Sequence, residues 1–140
     1  MPECLKLVDG EMQFLPGEIN SASGLELAAQ FQAIFGSAAA RQAKNVVYFF
    51  VAELPVPRVL GSSRVLYIGK TEGSLHQRYF RYAKHLATNR SGRFYQHVIK
   101  NFGAIRIAYV NSTAPGVDER TYFKRYIETH LEYPPKSKVG

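Results

Sequence analysis

The chain has 140 residues, of which 46% are hydrophobic, and this length and composition favour a single globular domain. No apolar run approaches the roughly 20 residues that a membrane helix needs, and the acidic start does not resemble a signal peptide, so we expect a cytoplasmic protein. The single cysteine, Cys4, excludes an internal disulfide and a thiolate zinc site.

The first part of the chain is predicted to be an extension, residues 1–44, with one helix. Residues 1–22 contain several glycines and prolines, which indicates an irregular or hairpin-like segment. Apolar residues then recur at helical spacing over Leu25–Phe35, with Ser23 as a suitable N-cap and Gly36 as a suitable stop.

The next part of the chain predicts two strands. Val46–Glu53 is rich in β-branched and aromatic residues, as a buried strand would be, and Arg64–Gly69 is predicted to be a second strand. The prolines of Leu54–Ser63 predict a loop between them.

Three helices and one more strand are predicted after the second strand. Apolar residues recur at helical spacing from Leu75 to Leu86, which predicts a helix whose other side carries basic residues. The remaining predicted elements are a helix over Phe94–Asn101, a strand over Ala104–Asn111 and a helix over Asp118–Leu131.

Positive charge is concentrated in the middle of a chain whose net charge is +7. The net charge is −2 over residues 1–45, +8 over residues 46–116 and +1 over residues 117–140. No acidic residue lies between Gly73 and Val117, where basic residues alternate with aromatic ones. This pattern is typical of a nucleic-acid-binding surface, although a solvated basic surface over core aromatics is the alternative.

The segment Gly69-Lys70-Thr71 at the end of a predicted strand has the ending of a phosphate-binding P-loop. That motif also needs a glycine at position 64, where this chain has Arg64. The sequence therefore argues against an NTPase.

The same residues resemble the GIY-YIG nuclease superfamily over about residues 45–135. The chain has Val46-Val47-Tyr48 on the first predicted strand, Tyr67-Ile68-Gly69-Lys70-Thr71 on the second and Leu75-His76-Gln77-Arg78 at the start of the next helix. The resemblance implies an α+β domain, residues 45–140, built on a three-stranded antiparallel sheet flanked by helices. Two features depart from the family pattern: the connection from Tyr48 to Tyr67 is long, and no asparagine follows Pro134-Pro135.

The resemblance also implies a metal-dependent endonuclease that hydrolyses phosphodiester bonds in DNA. In that pattern Tyr48 activates a water, Tyr67 and Lys70 assist it, and Arg78 stabilises the scissile phosphate. Because a free phenol has a pKa of about 10, we expect nearby cations such as Arg78 and Lys70 to favour its ionisation.

A glutamate on the last helix is implied as the ligand of Mg²⁺ or another divalent cation such as Mn²⁺. Glu119 and Glu128 are the two candidates, and a separation of nine residues puts them on opposite sides of a helix. We favour Glu119, with Glu128 as the alternative.

We expect the remaining basic and aromatic residues of the middle segment to bind DNA, mainly through its phosphates. They are Arg81, Tyr82, Lys84, His85, Arg90, Arg93 and Lys100. Cleavage of both strands of a duplex would be consistent with a homodimer. The alternative hypothesis is a DNA-binding module on the same scaffold that does not cleave.

Overall fold

The computed structural model describes residues 7–137 as an α+β fold in which helices cover both faces of an antiparallel sheet. The strands are β1 (Gln13–Phe14), β2 (Lys44–Pro57), β3 (Ser62–Ser74) and β4 (Ile105–Asn111). The helices are α1 (Gly24–Phe35), α2 (Ala38–Gln42), α3 (Leu75–Tyr79), α4 (Ala83–Leu86), α5 (Asn89–Phe102) and α6 (Pro115–His130). None of these helices is long and apolar enough to cross a membrane.

The sheet has four strands in the order β1-β4-β2-β3, and every neighbouring pair is antiparallel. The prediction of three strands is therefore wrong by one. The additional strand, β1, pairs only Gln13 with Tyr109 and Phe14 with Ala108. Two residues are too few to show the alternation by which a strand is recognised in a sequence.

The N-terminal segment contains more structure than the predicted single helix. Helix α1 is confirmed to within one residue, with Ser23 as its N-cap and Gly36 as its C-cap. The extension also contains the short helix α2 and strand β1. Phe31 and Phe35 of α1 are fully buried against Phe50 of β2, so this segment is part of the main core.

The predicted loop over residues 54–63 is wrong, because most of it continues the β2–β3 hairpin. Strand β4 pairs with β2 only as far as Ala52, so the later part of β2 has one free edge. Proline is tolerated at such an edge because it has no N–H to donate. The turn itself is held against the end of α6, since Arg58 forms an ion pair with Glu132 over 3.0 Å.

The predicted helix from Leu75 to Leu86 is divided into α3, a 3₁₀ turn over Phe80–Tyr82 and α4. The backbone of Tyr79, with φ of −124° and ψ of −21°, interrupts the α-helical path. Tyr82 is therefore 57% exposed, although the helical spacing predicts it on the buried side. The strand β4 and the last two helices are confirmed, with α5 beginning five residues earlier than predicted.

The sheet separates two hydrophobic clusters. Alternate residues of β2 point to opposite faces, so that Tyr48 and Phe50 enter one cluster while Val47 and Phe49 enter the other. Helices α1, α3 and α5 cover the Tyr48 face, and α6 covers the opposite face. This difference determines from which side each candidate residue can reach the site.

Candidate active site

The two tyrosines of the sequence motif lie close together on one face of the β2–β3 hairpin. Tyr48 pairs with Gly69 and Phe50 pairs with Tyr67 across the two strands. The rings of Tyr48 and Tyr67 have centroids 6.0 Å apart. Tyr48 is 1% exposed, whereas Tyr67 is only partly buried.

Gly69 leaves the space that the ring of Tyr48 fills. A Cβ at position 69 would lie 2.5 Å from both the Cζ and the hydroxyl oxygen of Tyr48, which is too close for any side chain. The glycine of the motif is thus explained by packing: it permits the first tyrosine to lie flat against the second strand.

A third tyrosine, Tyr79 of α3, completes this group. Its hydroxyl oxygen is 2.9 Å from that of Tyr48, in a buried hydrogen bond, and the two rings meet edge to face with centroids 5.4 Å apart. The sequence gives Tyr79 only as part of an apolar stripe. Its position directly after Arg78 is the one signal that it lies near the motif.

Arg78 projects from α3 beside these tyrosines. The side chain is exposed, and its guanidinium carbon lies 4.9 Å from the centroid of the Tyr79 ring. Partial burial acts to lower the pKa of Arg78, but the nearby phenols of Tyr48 and Tyr79 raise it overall. Arg78 therefore brings a permanent positive charge close to the phenols of Tyr48 and Tyr79.

Burial raises the pKa of the Tyr48 phenol well above its ordinary value. The neighbouring Tyr67 raises this pKa further, while the hydrogen bond with Tyr79 and the charge of Arg78 lower it by less. Burial likewise raises the pKa of Tyr79. The charge of Arg78 acts in the predicted direction and favours ionisation of Tyr48, but desolvation outweighs it, so the pKa is raised overall.

A cleft of about 350 Å³ opens next to the tyrosines. It extends across β3, which is the edge strand of the sheet, and so has walls from both faces. Tyr67 and Tyr79 line it from one side, and Glu119 and Phe123 of α6 line it from the other. Because no further strand lies beside β3, residues from opposite faces can share one cavity.

Glu119 and Glu128 have different positions, as their separation predicts. Glu119 is partly buried in the cleft, whereas Glu128 is exposed and does not line it. Desolvation raises the pKa of Glu119, and the charges of Lys70 and Arg120 offset only part of this effect. Lys70 therefore lies near Glu119, on the opposite face of β3 from Tyr67, and not beside Tyr48.

The end of the described chain also lines the cleft, which the sequence did not predict. The backbone N–H of Lys136 donates to the carbonyl of Leu66 over 2.8 Å, and the hydroxyl of Ser137 accepts from the N–H of Ile68 over 3.1 Å. These bonds attach the segment to the free edge of β3. Lys136 and Ser137 thus lie in the cleft wall.

The charged side chains at the cleft set a limit on how a metal could be held. Among residues 7–137 no three His, Cys, Asp or Glu side chains are grouped as metal ligands. Glu119 is the carboxylate that lines the cleft. A single carboxylate is enough to bind Mg²⁺, which keeps several waters and takes other ligands from substrate phosphates. It is not enough for a metal site built only from side chains.

The residues predicted to contact DNA are all exposed. Arg90, Arg93 and Lys100 follow one another on α5 at spacings that keep them on one side of the helix, opposite the buried Tyr95 and Val98. Helix α5 therefore presents a basic stripe. The others lie on the 3₁₀ turn and α4: Arg81, Tyr82, Lys84 and His85.

We compared the chain with models of protein families, with curated proteins and with solved structures, and none of the three comparisons found a match.

Proposed function

We propose that the chain is a metal-dependent DNA endonuclease of the GIY-YIG type, which hydrolyses phosphodiester bonds. The observation that carries the proposal is the cleft itself. It joins Tyr67 and Tyr79, the hydrogen-bond partner of Tyr48, to a carboxylate, Glu119, that comes from a separate helix on the other face of the sheet.

Arg78 and Tyr48 have complementary roles in this proposal. The guanidinium of Arg78 binds the scissile phosphate and stabilises the charge that grows on its oxygens. The phenolate form of Tyr48 accepts the proton of the attacking water. Because burial raises the pKa of Tyr48, the phenolate is the rare form at neutral pH and each stabilising contact to its oxygen matters.

Glu119 would hold one divalent cation, Mg²⁺ or Mn²⁺, with waters and the substrate phosphate as further ligands. A bound cation of this kind lowers the pKa of water and offsets negative charge on phosphoryl oxygens. Lys70, whose charge acts on Glu119, helps to keep that carboxylate ionised. Tyr67 lines the cleft together with Glu119 and packs beside the ring of Tyr48.

The basic stripe of α5 and the cations of α4 bind the DNA backbone. These side chains are exposed and carry charge of one sign, so they would position a duplex without reading its sequence. They also bring the substrate phosphates to the face from which Arg78 projects.

A second candidate function, a DNA-binding module without cleavage, is favoured by one observation. The hydroxyl of Tyr48 is buried and already bonded to Tyr79, and its pKa is raised. Such a phenol is a poor base at neutral pH and would serve equally well as a core residue.

Cleavage of supercoiled plasmid in the presence of Mg²⁺, with EDTA as a control, separates the two functions. We expect Arg78→Ala to lower the single-turnover cleavage rate by about 10²- to 10³-fold, the usual cost of removing one preorganised charge stabiliser. DNA binding should weaken much less, since many other cations contact phosphate.

Arg106→Ala is the matched control. Arg106 is exposed on β4, which β2 separates from β3, and its guanidinium carbon also lies over an aromatic ring, 4.3 Å from the centroid of Phe14. The Arg106→Ala variant should cleave at the wild-type rate. Equal activity in the two variants would remove Arg78 from the mechanism. DNA binding by the wild type without any cleavage would support the binding module instead of the nuclease.

A further inference from the structure

The hydroxyl of Tyr48 forms a buried hydrogen bond with a residue outside the sequence motif. This residue is Tyr79, whose hydroxyl oxygen lies 2.9 Å from that of Tyr48. The rings of Tyr48 and Tyr67 also approach each other, with centroids 6.0 Å apart, and both Tyr67 and Arg78 influence the pKa of the Tyr48 phenol. Tyr79 is thus placed to act directly on the oxygen of Tyr48.

The ring of Tyr79 is fixed in position on several sides. It stacks on Phe35 of α1 with centroids 4.7 Å apart and contacts Phe50 at 5.8 Å, and it is 6% exposed. A ring held in this way directs its hydroxyl at Tyr48 without a further loss of side-chain freedom. The N-terminal segment therefore contributes to the site, because the ring of Phe35 stacks against that of Tyr79.

The direction of the hydrogen bond depends on the protonation of the pair. When both residues are phenols, either hydroxyl can donate. When Tyr48 has lost its proton, only Tyr79 can donate. In that state the bond is charge-assisted, and such bonds are stronger than neutral ones.

We propose that Tyr79 is a positioning residue that donates a hydrogen bond to the phenolate oxygen of Tyr48 and so stabilises the form of Tyr48 that accepts a proton. The inference rests on the proposed function for its effect on cleavage, but the contact itself does not. In the reaction the attacking water loses a proton to the Tyr48 oxygen and its own oxygen forms the bond to phosphorus. The bond from phosphorus to the leaving sugar oxygen breaks, and that oxygen takes a proton from solvent.

The first test compares Tyr79→Phe with the wild type in single-turnover cleavage of plasmid DNA. The variant keeps the ring and removes only the hydroxyl. We expect the maximal rate to fall by about 10- to 100-fold, the range for a hydrogen bond to a charged group, with the DNA concentration at half-maximal rate unchanged. Tyr126→Phe, in the cluster on the other face of the sheet, should change neither quantity.

The second test does not require activity. In protein labelled with carbon-13 at the tyrosine Cζ, the resonance of Tyr48 reports on the hydrogen bonds of its oxygen. We expect the Tyr48 resonance to shift in Tyr79→Phe and to remain unchanged in Tyr126→Phe. Thermal unfolding checks that both variants are folded.

The outcomes distinguish the inference from the function on which it rests. A shifted Tyr48 resonance with a lower maximal rate supports the role of Tyr79. A Tyr48 resonance that does not move, or a cleavage rate within twofold of wild type, overturns that role while the nuclease stands. Absence of cleavage in the wild type overturns the nuclease and with it the catalytic role, and the resonance then decides whether the contact exists.

Discussion

Gly69 and Tyr48 pack so closely that each residue restricts what can occupy the other position. The ring of Tyr48 occupies the volume that a side chain at position 69 would need, and its hydroxyl is fixed by Tyr79. The ring therefore cannot move aside without losing a buried hydrogen bond. A motif glycine that sequence reasoning treats as a marker thus has a steric function.

We expect Gly69→Ala to destabilise the fold by about 1–3 kcal/mol, because it overpacks a rigid buried ring. It should also abolish most cleavage, since Tyr48 must shift. Urea unfolding measures the first effect and plasmid cleavage the second. Gly10→Ala is the control, because no atom outside its chain neighbours lies within 4 Å of a Cβ at that position; equal stability of the two variants would contradict the packing argument.

Tyr48→Phe separates the catalytic role of this residue from a core role. A structural hydroxyl contributes about 0.5–1.5 kcal/mol of stability and nothing to the rate. Removal of a group that accepts the proton of water should lower the cleavage rate by about 10²- to 10⁴-fold. We predict the larger rate loss for Tyr48→Phe and a smaller loss for Tyr67→Phe. Single-turnover cleavage and thermal unfolding of both variants decide this, and full activity in Tyr48→Phe would refute the mechanism.

Helix α5 carries three of the residues predicted to bind DNA, although its predicted start at Phe94 excluded two of them from the helix. Its buried residues, Tyr95 and Val98, lie opposite Arg90, Arg93 and Lys100. A stripe of this kind follows from helical periodicity alone and needs no tertiary contact to define it. Its contribution to DNA binding can therefore be tested as a unit.

We predict that the logarithm of the DNA binding constant falls with the logarithm of salt concentration at a slope of about −5, if five or six cations contact phosphate. Replacing Arg90, Arg93 and Lys100 together with alanine should make the slope less steep by about 3. Arg106→Ala should leave it unchanged. Fluorescence anisotropy over a salt series gives the slopes, and a wild-type slope near zero would exclude a phosphate-binding surface.

The elements that sequence reasoning predicted incorrectly are those fixed by tertiary contacts. The hairpin extends through Pro55 and Pro57 because only one side of β2 is paired there. The tip is held by contacts with the end of α6 that are distant in the sequence. In the segment after Leu75 the helix is interrupted at Tyr79, whose hydroxyl is bonded to Tyr48 of the sheet.

For the molecule as a whole, the buried tyrosines make stability depend on alkaline pH. Burial is the main cause that raises the pKa of Tyr48, Tyr79 and Tyr95 in the folded chain above the value of about 10 expected after unfolding. Below about pH 10 both states keep these protons, and the stability is fully present. Above it the unfolded chain loses protons that the folded chain retains, so stability falls as pH rises.

We therefore predict that the free energy of unfolding decreases above pH 10, with each buried phenol contributing up to about 1.4 kcal/mol per pH unit. Tyr95→Phe should reduce this dependence by about that amount, because it removes one of the protons involved. Tyr82→Phe, which alters an exposed ring, should leave the dependence unchanged. Urea unfolding between pH 9 and pH 11.5 measures it, and an identical slope in Tyr95→Phe and wild type would contradict the assignment.

The sequence by itself determined the α+β class, helix α1, strand β4 and the closeness of Tyr48 and Tyr67. Each of these follows from local periodicity or from the alternation of a hairpin. It also placed Glu119 and Glu128 on opposite sides of one helix, because helical rotation fixes that relation.

Only the tertiary structure decided which glutamate enters the cleft, that Tyr79 bonds to Tyr48, and that Lys136 lies in the wall. These relations join residues 31 to 70 positions apart through packing around an edge strand, and no local period encodes them. It also decided the sign of the pKa shift of Tyr48. Nearby cations can be read from a sequence, but the desolvation that outweighs them exists only once helices α1, α3 and α5 have covered that face of the sheet.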